Sequence, residues 1–219
     1  VIPKAVDEYH QQLRAYHDQD TKAQLNNPVY HIHKGDVPQS DMVVPFAMLL
    51  NLASVSSAET KDAMWGFINK YAPDASAETN PVMDDAAGFA VRYYHDFVKP
   101  TKVFRAPNEQ ERAALRDLRA GLADVGVAKA MIDKKNADMG KEPVDLSGYS
   151  LADGDDLQAL VFAVGKNHKF ENLRDWFQAI YETLLGASQG PRFGGFIALY
   201  GVDETIALID AGLNGELLA

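Results

Sequence analysis

Apolar side chains recur along most of the chain at the three- and four-residue spacing of a helix buried on one face. Val6, Tyr9, Leu13 and Tyr16 mark a first helix. Phe46, Leu49, Leu50 and Ala53 repeat the spacing, as do Met64, Phe67, Ile68 and Tyr71. Ala86, Phe89, Ala90, Tyr93, Tyr94 and Phe97 carry it over three turns. Asn108 with Glu111 three residues on has the form of a capping box, and the helix it opens shows a thin stripe of Leu115, Leu118 and Leu122. So little apolar surface predicts an outer helix, with Arg112, Arg116 and Arg119 turned to water or to a ligand. Leu157, Leu160, Val161 and Val164 follow, then Leu173, Trp176, Phe177, Ile180, Tyr181, Leu184 and Leu185, with Gly186 placed to end that helix. Pro191 suits the first turn of a short helix reaching Gly201, and Val202, Ile206, Ile209 and Leu213 mark the last helix. No convincing strand pattern appears; residues 29–33 read at most as a short extended piece. The predicted fold is all-α, a multi-helix bundle.

Composition narrows the classes. Hydrophobic residues at 47% and charged residues at 24% are globular usage. The absence of cysteine excludes a disulfide framework and thiolate metal sites, and fits a cytoplasmic protein. No apolar run approaches the roughly 18–20 residues that span a bilayer. The chain opens on Val1-Ile2-Pro3-Lys4 without an initiator Met, so it is expected to be cut from something larger. Residues 136–156, with three Gly, one Pro and six acids, read as a loop or linker.

Charge changes the picture more. The net value is −10, which by itself argues against nucleic acid. Residues 99–135, however, carry nine basic side chains against five acidic ones. A locally basic strip on an acidic body suits a partner that docks in one place; a solvated helix surface laced with ion pairs is the plainer alternative.

Candidate chemistry is sparse. His31 and His33 lie two apart and His10 and His17 seven apart, and neither pair has an evident third ligand, so no metal site is expected. Asp84-Asp85 and Asp155-Asp156 precede helical patterns, where N-capping and the helix dipole account for them. No phosphate loop, dinucleotide fingerprint or nucleophile elbow occurs, and no catalytic residue is assigned.

The most distinctive string is LRDWFQAIYETLLGASQGPRFGGFIALYGVDETIALI at 173–209. Its glycines let helix backbones approach closely and leave Arg192 and Phe193 on a connecting turn, either for a ligand or as a packed helical corner. This string resembles the C-terminus of class I lysyl-tRNA synthetases, and is more distantly similar to the end of the glutamyl-type helical cage. VIPKAVDEYHQQL looks like the segment leaving the family's catalytic domain, and NPVYHIHKGDVP with VPFAMLLNLASV looks like the start of its helical region.

The resemblance implies a fold and a role. Residues 1–38 would connect to an absent catalytic domain, 39–135 would form a stem-contact-like subdomain, and 157–219 an α-helix cage for the anticodon stem-loop. The partners implied are a lysine-accepting tRNA and the chain's own catalytic domain. ATP would be handled in that missing domain, since neither the His-x-Gly-His nor the Lys-Met-Ser-Lys-Ser signature is present; no cofactor is expected in this chain. Splayed anticodon bases need stacking planes and hydrogen-bonding edges, and their phosphates need cations. Arg112, Arg116 and Arg119 are the expected phosphate track, with Lys166, His168, Lys169, Arg192 and Phe193 nearer the bases and Gln189 available to read one. The competing expectations are a glutamyl-type cage and a helical protein-interaction domain.

Overall fold

A computed structural model describes residues 2–56, 60–142 and 145–218. It is 70% helical, with no strand among the described residues. Twelve α-helices are described: α1 (Ile2–His17), α2 (Thr21–Asn26), α3 (Pro28–Ile32), α4 (Phe46–Val55), α5 (Lys61–Tyr71), α6 (Pro81–Tyr93), α7 (Glu109–Ala123), α8 (Val125–Asp138), α9 (Gly154–Asn167), α10 (Leu173–Ile180), α11 (Phe193–Tyr200) and α12 (Val202–Asn214). The chain forms two compact units, Val1–Ala53 with Ser57–Asp96, and Ser54–Ser56 with Phe97–Ala219. α8 and α9 take up the two ends of the expected 136–156 loop, residues 136–138 and 154–156, and pack against each other within the second unit.

In the first unit Leu13 and Tyr16 of α1 close on Val29 of α3, flanked by Tyr9, Tyr30 and Val37. The 29–33 segment is thus helical rather than extended. Asn27 caps it through Val29 N–H at 3.1 Å and Pro28 occupies its first turn, signals that outweigh the β-branched and aromatic residues within it. Two helices start on borrowed caps. Asp7 accepts from Phe46 and Ala47 N–H at the head of α4, and Asp41 accepts from Val82 N–H at 2.9 Å at the head of α6. Asp84 and Asp85 lie inside α6, whose start at Pro81 precedes them; Asp84 takes Lys61 Nζ and Trp65 Nε1 instead of capping.

The second unit is built around α9, which packs against α11, α8, α7 and α10. Leu157, Leu160, Val161, Ala163 and Val164 on α9 are all fully buried. Its contact with α11 is backbone on backbone: a Cβ at Gly194 would stand 2.3 Å from Gly154 O and 2.4 Å from Gln158 N. Only glycine permits that approach. Gln158 Oε1 also accepts Gly194 N–H at 2.9 Å, locking the two helices in register.

α7 is not an outer helix. Ala114 and Gly121 widen its apparent stripe, and Leu115, Leu118 and Leu122 are no more than 1% exposed between α8, α9 and α12. The Asn108–Glu111 capping box is present in full. α10 continues into a π-helical turn, Tyr181–Leu185, closed by Gly186 in the left-handed conformation (φ 66°). No helix among the described residues is long and apolar enough to cross a membrane.

Candidate functional site

The head of α7 is fixed by a charged knot. Arg105 grips Glu111 bidentately, with Nη1–Oε2 at 2.7 Å and Nη2–Oε1 at 2.8 Å, and sends Nε to Glu182 at 2.5 Å. Gln178 Nε2 donates to the other Glu182 oxygen. Burial alone would raise the Glu111 pKa, but the Arg105 bonds and the Asn108 N–H overcome it and hold the carboxyl below its ordinary value. Bonds from Arg105 and Gln178 lower Glu182 likewise, while the Glu111 bond above all raises Arg105.

Two of the three arginines expected to face a ligand are committed to α12. Arg112 donates to Leu213 O at 2.7 Å, and Arg119 pairs with Asp210 at 2.6 Å. Arg116 is exposed, with no hydrogen bond or ion pair among the described residues.

The 166–169 turn lies beside α7. His168 Nε2 meets Asp117 Oδ2 at 2.7 Å, and Gln110 donates to His168 O at 2.8 Å. Lys166 and Lys169 are exposed. Lys169 follows the end of α9 in left-handed backbone (φ 57°), and Phe170 N–H returns to Gly165 O, the arrangement glycine usually serves. Asp117 brings this turn to the helix that carries Arg116, so those cations share one region. Arg192 does not join them. It pairs with Asp155 at the opposite end of α9, a helix length of roughly 20 Å away.

Phe193 corrects the expectation of a base-stacking side chain. It is 0% exposed, stacked on Phe196 at 5.4 Å and set edge-on to Tyr181. As the first residue of α11, beside Gly194 in its close contact with α9, it points into the core. The packed-corner alternative holds for Phe193, while Arg192 stays outside on Asp155.

What the sequence did not single out is an open groove beside Arg192. About 520 Å³ in volume, it is lined by Gln158 and Phe162 of α9, Phe177 and Tyr181 on α10 and its π-turn, Lys135 of α8, and Pro191–Arg192. A side cavity of about 390 Å³ shares Phe177 and Tyr181 and adds Arg174 and Gln189. Phe162 is 41% exposed, with its ring 5.7 Å from that of Phe177. The Tyr181 hydroxyl donates to Pro191 O and anchors the loop wall, and burial pushes its pKa up to about 12. The available signal was Phe162, which stands outside the 157/160/161/164 stripe of its own helix.

The histidines play local roles. Tyr9 OH bonds His33 Nε2 at 2.8 Å, His31 lies 2.9 Å from Leu25 O, His10 bonds Ser40 and His17 bonds Pro38 O. Desolvation first, then Arg14, lowers the His10 pKa. Among the described residues no group of three His, Asp or Glu could hold a metal ion.

Fold and site together describe an all-helical body carrying an open aromatic groove edged by cations. Along all 219 residues the chain is 61% identical to a lysine–tRNA ligase of Roseobacter denitrificans, of which it spans 37%. It is 41% identical over 216 residues, 98% of its length, to the lysine–tRNA ligase of Rickettsia akari, and 39% identical over 215 residues to that of Rickettsia conorii; it spans 36% and 37% of these two. The chain is thus homologous, from end to end, to a stretch of lysine–tRNA ligases, and covers little more than a third of these relatives. No protein-family model matches it, and no solved structure does.

Proposed function

We infer that the chain is the tRNA-binding helical module of a class I lysine–tRNA ligase, engaging the anticodon stem-loop. The observation that carries this reading is identity of 61% over the full chain with a protein named for lysine and tRNA. The all-helical second unit, with Arg116, Lys166 and Lys169 exposed on neighbouring elements and Arg192 beside an aromatic groove, supports it. Cations set the register of an RNA through its phosphates, and planar side chains meet unstacked bases. In this reading lysine and ATP are handled by the part of the ligase that these 219 residues do not contain, and the partners are a lysine tRNA and that catalytic part. Arg112 and Arg119 reach a phosphate only by leaving Leu213 and Asp210, so Arg116 is the principal phosphate contact of α7.

The test is binding of a labelled anticodon stem-loop from a lysine tRNA, titrated by fluorescence anisotropy at two salt concentrations. The expected result is salt-dependent binding that an unlabelled lysine stem-loop displaces better than a glutamate one. Equal displacement by both points to a glutamyl-type or non-selective cage. No binding by either sinks the reading.

A further inference from the structure

We propose that the outward face of α6 docks on the catalytic part of the same ligase, which buries Val82, Phe89 and Tyr93 in the assembled enzyme. This inference rests on the reading of the chain as one module of a larger ligase, and names the surface by which it joins the rest.

α6 has two apolar faces and a core for only one of them. Met83, Ala86, Ala87, Ala90 and Val91 are buried and hold the helix to its own unit. Val82, Phe89 and Tyr93 stand outside that core, 48%, 54% and 41% exposed. Seven and four residues apart, they fall within about 40° of one another around the helix axis, so they form one stripe. Single exposed apolar side chains are ordinary, whereas a row of large ones on one face marks a contact surface. Arg92 lies over the Phe89 ring at 5.0 Å, and Asp85 and Asp96 are exposed alongside. The stripe therefore has an apolar centre and a charged rim, the anatomy of a protein interface.

Charge and size decide what covers it. The first unit carries thirteen acidic side chains against seven basic ones, and two of the three charged groups beside the stripe are carboxylates. A phosphate backbone is repelled there, and an apolar protein surface is not. Three side chains on a helix of 13 residues also fall short of the roughly 800 Å² per partner that separate chains bury in a stable association. Between parts of one chain a small patch suffices, because the linker holds them at about millimolar effective concentration. Nearly two-thirds of the Roseobacter relative lies outside the stretch that this chain matches, which supplies such an occupant.

The experiment compares the 219-residue chain with the full-length ligase that contains it, by hydroxyl-radical footprinting read by mass spectrometry. Phe89 and Tyr93 should be oxidised several-fold more slowly in the full ligase, while Tyr71, exposed on α5 and outside the stripe, reacts alike in both. In the full ligase, Phe89→Ser should return Tyr93 oxidation to the rate of the isolated chain. It should also slow aminoacylation about tenfold at a fixed tRNA concentration, with lysine-dependent ATP–pyrophosphate exchange unchanged. In the isolated chain the same substitution should alter neither melting nor stem-loop binding.

Protection of Phe89 and Tyr93 no greater than that of Tyr71 overturns the docking. Protection that appears in the isolated chain as its concentration rises overturns it in favour of a second copy. Protection that appears there on adding a lysine tRNA overturns it in favour of RNA. The footprint of the free ligase needs no RNA, so its outcome is separate from that of the stem-loop titration.

Discussion

The second unit carries two basic surfaces that look alike in sequence and differ in construction. On α7 two cations are tied to the fold, Arg112 to a carbonyl of α12 and Arg105 just upstream to Glu111 and Glu182, while Arg119 pairs with Asp210 with both side chains about two-fifths exposed. At the groove the cations stand at the rim of an apolar hollow, and the one ion pair there is exposed on both sides. A cation that satisfies a backbone carbonyl or a half-buried carboxylate has its geometry set by the fold. A cation on an exposed carboxylate beside bare aromatic surface can change partners cheaply. Charge density along the sequence therefore marks α7, whereas the surface able to exchange partners lies elsewhere.

The largest expected effect breaks the inward side of that comparison. Glu111→Ala should destabilise the fold by about 2–3 kcal/mol, below the 3–5 of a fully buried pair because Arg105 reaches solvent. RNA affinity, corrected for the unfolded fraction, should not change. Acid reaches the same knot. The Glu111 and Glu182 pKa values are lowered on folding, so their stabilisation is complete above the unfolded value of about 4.3 and disappears as pH falls through the folded values. The melting temperature should drop below about pH 4.3, and less steeply in Glu111→Gln. An acid profile unchanged by that substitution would show that the knot does not carry the effect.

Arg112→Ala and Arg192→Ala separate the two surfaces directly. Losing the Leu213 bond should cost about 1 kcal/mol of stability and leave discrimination between lysine and anticodon-swapped stem-loops intact. Arg192→Ala should keep its melting temperature and narrow that discrimination. If both variants merely melt earlier, the contrast between the surfaces collapses.

A change of similar or smaller size concerns Lys169. Glycine relieves its left-handed backbone, so Lys169→Gly should raise stability by up to about 1 kcal/mol while weakening RNA binding. A gain in stability with unaltered binding would remove Lys169 from the interface. The smallest expected effect is that of Arg116→Ala: every stem-loop weakened by a similar factor, a salt slope reduced by about one, and no change in melting.

The sequence conveyed the helices well because periodicity and capping are local. The Asn108–Glu111 box and the Gly186 terminus stand where their residues put them. It conveyed α3 poorly, since Val29, Tyr30 and Ile32 favour extended chain and the burial of Val29 against α1 is not local, whereas the Asn27 cap and Pro28 are. It misjudged α7, because alanine and glycine bury a face without registering as apolar stripe. For the site, Arg192 was legible as an exposed cation on a turn, but Phe193 was not legible as core. The groove escaped notice because α8, α9, α10 and a loop contribute to it, and no window of sequence holds Lys135, Phe162 and Phe177 together.

The π-turn at Tyr181–Leu185 has a consequence in helical phase. Consecutive residues on it face different tasks: Tyr181 holds the Pro191 carbonyl at the groove, and Glu182 holds Arg105 at the head of α7. A π-turn accommodates one residue more than the α-turn it replaces. Deleting a single residue from 181–185 would restore ordinary winding with the residues on either side nearly in phase, because the π-turn absorbs the residue that would be lost. The turn would then have one position fewer for two anchors, Tyr181 at the groove wall and Glu182 at Arg105, so the winding defect couples the position of the loop to the anchoring of α7.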